Sequence, residues 1–377
     1  MPSTPEQLIV VDGHVDVRPV DGGYTFPVEE ARAGGVHAAV VPVKAGLLPR
    51  DAGAAAGQAE LDATFEAIQR LVTESDGTVE LVRSPGQVRR NAERGVFSII
   101  LGLQNGRPLA DLTALEHWLD CGVAVVDFGF IGNNQWVTSS RPYPYASLPT
   151  EADGISHQTL EALALLNERG VIVDTAQVSV RARERIIEAS TAPVIASHNG
   201  LRAQVGQADR TLADDEVRAV AGTGGLVQVV AFDGYLTPRG DDPVVVADIR
   251  ELRERFGLPG RRGPADYYAL LDEETADWDE QTFSDYFAEY HAKVRNGWPK
   301  SDVERLIDSV DHVIDLVGVD HVGIASDFHH GGGITGWLEP SQTANVTAAL
   351  RRRHSPDEIQ RIWGGNLLRV WDEVLGD

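Results

Sequence analysis

The sequence predicts an α/β fold of the (β/α)8 TIM barrel class, and three observations carry that expectation. Short apolar runs rich in β-branched residues alternate with longer stretches of helical period, the pattern of parallel strands joined by crossover helices. Eight such runs occur, at 8–15, 36–43, 96–103, 123–130, 171–176, 193–198, 225–232 and 321–328. A chain of 377 residues is long enough to close eight such units into one barrel and bury a large core. A doubly wound open sheet is the alternative architecture with the same alternation. We read residues 1–377 as a single barrel domain carrying one insertion.

Taken in order, the first run, "LIVVDGHV", is β-branched and ends on polar residues, as a strand entering a loop does. The stretch "AGAAAGQAELDATFEAIQRLV" has Ala-rich helical amphipathicity and predicts a long crossover helix. A further short run, "GTVELVRS" at 77–84, is expected outside the barrel. Between 233 and about 300 the rhythm breaks into Gly, Pro, Trp, Tyr and acidic residues. An insertion after the seventh strand lies beside the catalytic mouth, so a lid or a dimer contact is expected there, with a peripheral helical excursion as the alternative.

Composition excludes several partners. With 33 Lys plus Arg against 57 Asp plus Glu, the formal charge is −24, which repels nucleic acid and anionic lipid. The N-terminus "MPSTPEQLIVVDGHVDV" runs straight into a strand and no apolar run reaches membrane-spanning length, so a soluble, cytoplasmic protein is expected. The one cysteine, Cys121, can form no internal disulfide and reads as a small buried residue at the start of an apolar strand. Only Lys44, Lys293 and Lys300 are lysines, a bias we attribute to genomic base composition.

In such a barrel the active site forms at the C-terminal ends of the strands, so the residues at the strand tips are the ones that matter. The first strand ends in His14 and Asp16, the third in Gln104, the fourth in Phe130, the fifth in Gln177, the sixth in His198 and the eighth in Asp327, followed by His329 and His330. His14 and Asp16 are two apart, so on an extended strand both side chains point the same way. Imidazole plus carboxylate suits zinc or another divalent ion, although an isolated pair of this kind is as readily a structural hydrogen-bonded couple. Convergence of four ligand-type side chains, His14, Asp16, His198 and Asp327, on one rim favours a metal or catalytic role.

At these residues the sequence resembles the membrane (renal) dipeptidase family of the amidohydrolase superfamily. The resemblance rests on "DGHVDV", "GGVHAAVVPV", "DGISHQTLEALALLNERGVIVDTAQVSV", "APVIASHNG", "DRTLADDEVRAV", "VGVDHVGIASDF" and a tail running from "GGGITGW" to "GGNLLRV". It implies a barrel, a dimer, two zinc ions and hydrolysis of dipeptide amide bonds. It places metal ligands at His14, Asp16, His198 and Asp327, and a guanidinium for the substrate carboxylate at Arg210, which is otherwise read as a surface ion pair.

The departures from the family pattern bear on the chemistry. Gln104 stands where the family has a bridging glutamate, Gln177 where it has a second-metal histidine, Phe130 where it has a further site histidine, and "DFHH" replaces "DFDG". A neutral amide cannot offset the repulsion between two dications and is a weaker zinc ligand than imidazole. One ion held by His14, Asp16 and Asp327 is therefore expected, with His329 as a possible further ligand or base and His330 facing elsewhere. Three functions compete. One is a mononuclear hydrolase of a dipeptide or small amide, in which Asp327 takes a proton from water, His198 polarises the carbonyl and Arg210 and Phe130 contact the substrate. Another is a tailoring enzyme of small-molecule biosynthesis on the same fold. The last is a metal-free, ligand-binding pseudoenzyme.

Overall fold

The computed structural model describes residues 8–143, 146–149, 154–206, 210–238, 242–259, 274, 275, 277–296 and 300–376. Its main sheet is parallel, with barrel strands Val11–Asp12, Ala38–Lys44, Phe97–Gln104, Val125–Asp127, Ile172–Asp174, Val194–Leu201, Leu226–Val230 and Val322–Ala325 following one another in chain order. All eight expected strands are present. Backbone bonds from Gly13 to the Ile324 carbonyl (3.1 Å) and from Asp327 to the His14 carbonyl (2.9 Å) join the last strand to the first. The sheet is thus a nearly closed barrel, as the alternation implies.

The first strand's regular ladder stops at Asp12, so strand alternation does not itself bring His14 and Asp16 together. The chain beyond it stays tied, with Val15 donating to the Val40 carbonyl (3.0 Å) and Asp16 to the Phe328 carbonyl (3.2 Å). Val79–Val82 pairs in parallel with Phe97–Ile100, off the barrel path but hydrogen-bonded to it. The Ala-rich segment forms the helix Ala54–Glu74.

Burial follows strand parity. Val11, Ala38, Val40, Ile100, Val125, Ile172, Ile195 and Leu226 cluster with Leu367, Leu368 and Trp371 of the last helix, Asn366–Leu375. That helix therefore caps the end of the barrel opposite the strand tips. The other parity, including Val10, Ala39, Val41, Ile99 and Leu101, packs into the larger core shared with the surrounding helices. Inward parity carried to the tips delivers Lys44 after Ala38 and Val40, and Gln104 after Ile100. Gly13 leaves room for the buried Gln228 side chain, whose amide nitrogen would stand 1.8 Å from a Cβ there and would have to shift.

Cys121 ends the helix Leu112–Cys121 and is half-buried, 3.9 Å from His117 Nε2, rather than opening a strand. Burial pushes its thiol pKa up, the opposite of activation. Of the 233–300 region, the helices Pro243–Arg255 and Glu280–Asn296 are described, while "GRRGPADYYALLD" lies outside the described residues. Val245, Ile249, Leu252, Phe283 and Tyr286 form a small core with Tyr143, packed against Leu47 and Ile131. Those contacts follow the second and fourth strands, so the insertion sits at the mouth.

Candidate active site

Three aspartates fix the strand tips before any reactive group is placed. Asp12 Oδ1 accepts from Ser326 N (2.9 Å) and His14 N (3.4 Å). Asp127 accepts from Gly129 N (2.8 Å) and Gln177 N (3.1 Å), and Asp174 from Ala176 N and Ser197 N, both 3.0 Å. Each carboxylate bonds the amide two residues on, the turn-forming habit of Asp, and reaches a neighbouring strand as well. Burial raises all three pKa values, that of Asp12 to about 6. These groups were not legible as site residues because their work is done on backbone.

The rings of His14 and His198 stack with centroids 3.8 Å apart and planes 13° from parallel. Burial lowers both pKa values, that of His14 to about 3, so both rings are neutral at physiological pH. His198 Nδ1 lies 2.5 Å from Ser197 Oγ, which donates to Asp174 Oδ2. Because the hydroxyl proton is used on Asp174, Nδ1 carries the His198 proton and Nε2 is an acceptor. That acceptor faces the amide nitrogens of Gln104 at 3.3 Å and Gln177 at 3.2 Å. Gln177 is therefore not vacant structure: it donates to the lone pair an ion would use.

Asp16 sits between Lys44, His330 and His14. Its Oδ2 accepts from Lys44 Nζ and lies 3.6 Å from His330 Nδ1, while Oδ1 lies 3.8 Å from His14 Nε2. Burial pushes this carboxyl up, but Lys44, His330 and His14 together outweigh it and hold the pKa below the ordinary value. His330, expected to face elsewhere, thus turns to Asp16, with its ring 5.9 Å from Phe130. His329 instead donates through Nδ1 to the Asp16 carbonyl (2.7 Å). Phe130 is buried and lies 5.8 Å from Lys44 Nζ, measured to the ring centroid.

Asp327 enters the site from a tight turn. It and His329 both adopt left-handed backbone, at φ 53° and 69°, and Gly332 N closes the turn on the Asp327 carbonyl at 2.9 Å. A Cβ at Gly332 would stand 2.0 Å from the Ser326 carbonyl oxygen. Burial, then the charge of Asp16, pushes the Asp327 carboxyl up to about 7, against the pull of Arg210, Lys44 and Arg141. Arg210 is buried, donates to the His198 carbonyl (2.7 Å) and lies 5.9 Å over the Tyr235 ring, whose hydroxyl accepts from Arg141.

Three side chains at the mouth have the donor chemistry that suits a divalent ion. Asp16 Oδ1 and Asp327 Oδ1 are buried and have no hydrogen-bond partner among the described residues, and His14 is neutral with a lone pair to give. Among the described residues, however, no three His, Cys, Asp or Glu side chains converge closely enough to hold an ion as the side chains stand. At the second position the His198 Nε2 faces the amide nitrogens of Gln104 and Gln177.

A parallel barrel with imidazole, carboxylate and guanidinium buried at its C-terminal mouth defines a barrel of the amidohydrolase type. The chain belongs to the membrane dipeptidase family (peptidase family M19), whose sequence profile matches residues 6–375. It is 25% identical over 374 residues to Dipeptidase tcpJ of Claviceps purpurea, covering 96% of this chain and 69% of that protein. It is 23% identical to Dipeptidase 3 of Macaca fascicularis over 81% of this chain, which spans only 50% of that relative. The crystal structure of the probable dipeptidase PvdM from Pseudomonas aeruginosa superposes with a TM-score of 0.89 at 32% identity, covering 98% of this chain and 96% of that one.

Proposed function

We propose that the protein hydrolyses the amide bond of a dipeptide or similar small amide bearing a free carboxylate, with one divalent ion rather than two. Family membership supports the hydrolase class. The observation that carries the reading is the pairing of complementary buried groups in one mouth. Asp327 Oδ1 and Arg210 Nε both lack hydrogen-bond partners among the described residues, and the Arg210 charge pulls the Asp327 pKa down against its burial. A buried acceptor and a buried donor left unmatched are costly unless a ligand completes them.

Held by His14, Asp16 and Asp327, a divalent ion would supply Lewis-acid activation of water and of the scissile carbonyl. Arg210 holds the substrate carboxylate through its free guanidinium edge, fixed from behind by the His198 carbonyl and Tyr235. Asp327 accepts the proton of water at Oδ1 and passes it to the leaving amine. Phe130 keeps water from the substrate side of the mouth. His198, its Nε2 engaged by two amides, positions the ring of His14 by stacking.

The test is amine release from a panel of dipeptides and N-acyl amino acids, before and after chelator treatment and zinc return. Hydrolysis that is lost with chelator, restored by zinc and weakened in Arg210→Lys supports the reading. Hydrolysis indifferent to chelator contradicts it. The two glutamine amides on His198 favour one second reading, a tailoring reaction other than peptide hydrolysis. Product mass separates them, because hydrolysis adds one water and isomerisation adds nothing.

A further inference from the structure

We propose that Lys44 is a resident cation of this site, whose ammonium competes with a divalent ion for the carboxylate of Asp16. The inference rests on the one-ion reading above, but its readout is ion binding rather than catalysis.

The position is set by the fold. Lys44 ends the second barrel strand in register with Gln104, on the inward parity shared with Ala38 and Val40. Its side chain is only 16% exposed and its ammonium donates to Asp16 Oδ2, whose side chain is 4% exposed. Such a pair persists because each charge would be unaffordable alone in that environment. The chain has three lysines among 33 basic residues, so a lysine in the mouth is not what its composition would supply by default. A slender ammonium on an unbranched stem occupies a space comparable to that of a desolvated ion, which a planar guanidinium would not.

Asp16 is faced by Lys44, His330 and His14, and its charge also reaches Asp327. Oδ2 is shared between Lys44 and His330, and Oδ1 points toward His14 without a hydrogen bond. A dication bound through Asp16 would lie beside the Lys44 charge in a poorly screened site, and their repulsion weakens with distance only slowly there. Ion entry therefore requires Lys44 to release Asp16 or to tolerate a neighbouring dication. Removing the ammonium removes that competitor. The same pairing accounts for the unconverged ligands: Asp16 is drawn toward the ammonium, and among the described residues no three acidic or imidazole groups close on one point.

The experiment is competitive zinc binding by the full chain, using a chromophoric chelator, for wild type, Lys44→Met and Lys44→Arg, with thermal melts in the presence and absence of zinc. Lys44→Met keeps the stem and loses the charge; Lys44→Arg keeps the charge. The expected result is zinc affinity at least tenfold higher in Lys44→Met than in wild type, with no gain in Lys44→Arg. Metal-free Lys44→Met should melt lower than wild type, because Asp16 is left buried and unpaired, and zinc should raise its melting temperature more than it raises that of wild type. Equal zinc affinity in wild type and Lys44→Met overturns the proposal while leaving the one-ion reading intact. Zinc binding by neither chain overturns both. Should Lys44→Met fail to fold without metal, refolding in zinc decides: recovery of a cooperative melt supports competition, and none under zinc rejects it.

Discussion

The amide nitrogen of Gln177 lies 3.2 Å from His198 Nε2, so in the metal-free site this imidazole acts as a hydrogen-bond acceptor. With Gln104 doing the same from the third strand, the imidazole lone pair is doubly engaged. The order of protons from Asp174 through Ser197 fixes the tautomer that makes this possible.

Restoring charge and imidazole at these two places should restore a second ion. The double variant Gln104→Glu plus Gln177→His is expected to hold about one more zinc per chain than wild type after dialysis. Elemental mass spectrometry on both proteins measures it.

The Asp174, Ser197 and His198 chain predicts a stability effect behind the stacked imidazoles. Ser197→Ala leaves Asp174 Oδ2 and His198 Nδ1 without their shared hydroxyl, at a cost of about 1 to 3 kcal/mol. Urea denaturation should show a lower midpoint with an unchanged slope.

Substrate anchoring by Arg210 predicts a split in kinetics. Arg210→Lys keeps a charge but not the planar fork, so KM for carboxylate-bearing substrates should rise roughly ten- to a hundredfold. The kcat should fall less, and a substrate amidated at that carboxylate should show little difference between the two enzymes. Steady-state kinetics on the paired substrates reads both effects.

The pH dependence of the metal-free protein follows from Asp327. Its folded pKa, about 7, is raised above the ordinary 3.8, so the folded chain binds this proton more tightly than the unfolded one. The stabilisation is full below the unfolded value and is lost as pH rises through the folded one. In chelator-treated protein, Asp327→Asn should therefore flatten the decline in melting temperature between pH 5 and pH 8, measured by scanning calorimetry.

Much of this arrangement is legible in the chain. The eight apolar runs mark all eight barrel strands, because buried parallel strands read as continuous β-branched sequence. Strand-tip position alone brings His14, Asp16, Gln104, Gln177, His198 and Asp327 into one mouth. What escapes is pairing across distance. Lys44 stands at a strand tip where the same rule points, but it is not a metal-ligand type, and its partner lies 28 residues away. His330 reaches Asp16 only because the turn at Asp327 and His329 is left-handed, and no local periodicity announces such a turn. Asp127 and Asp174 also stand at strand ends, and their oxygens are engaged by backbone amides and, at Asp174, by the Ser197 hydroxyl.

A dipeptidase-family barrel with Gln104 and Gln177 at its mouth should hold one ion instead of two. The decisive measurement is zinc content per chain, by elemental mass spectrometry after dialysis against zinc and removal of excess. About one zinc per wild-type chain is expected. Two per chain, or none, overturns the one-ion reading.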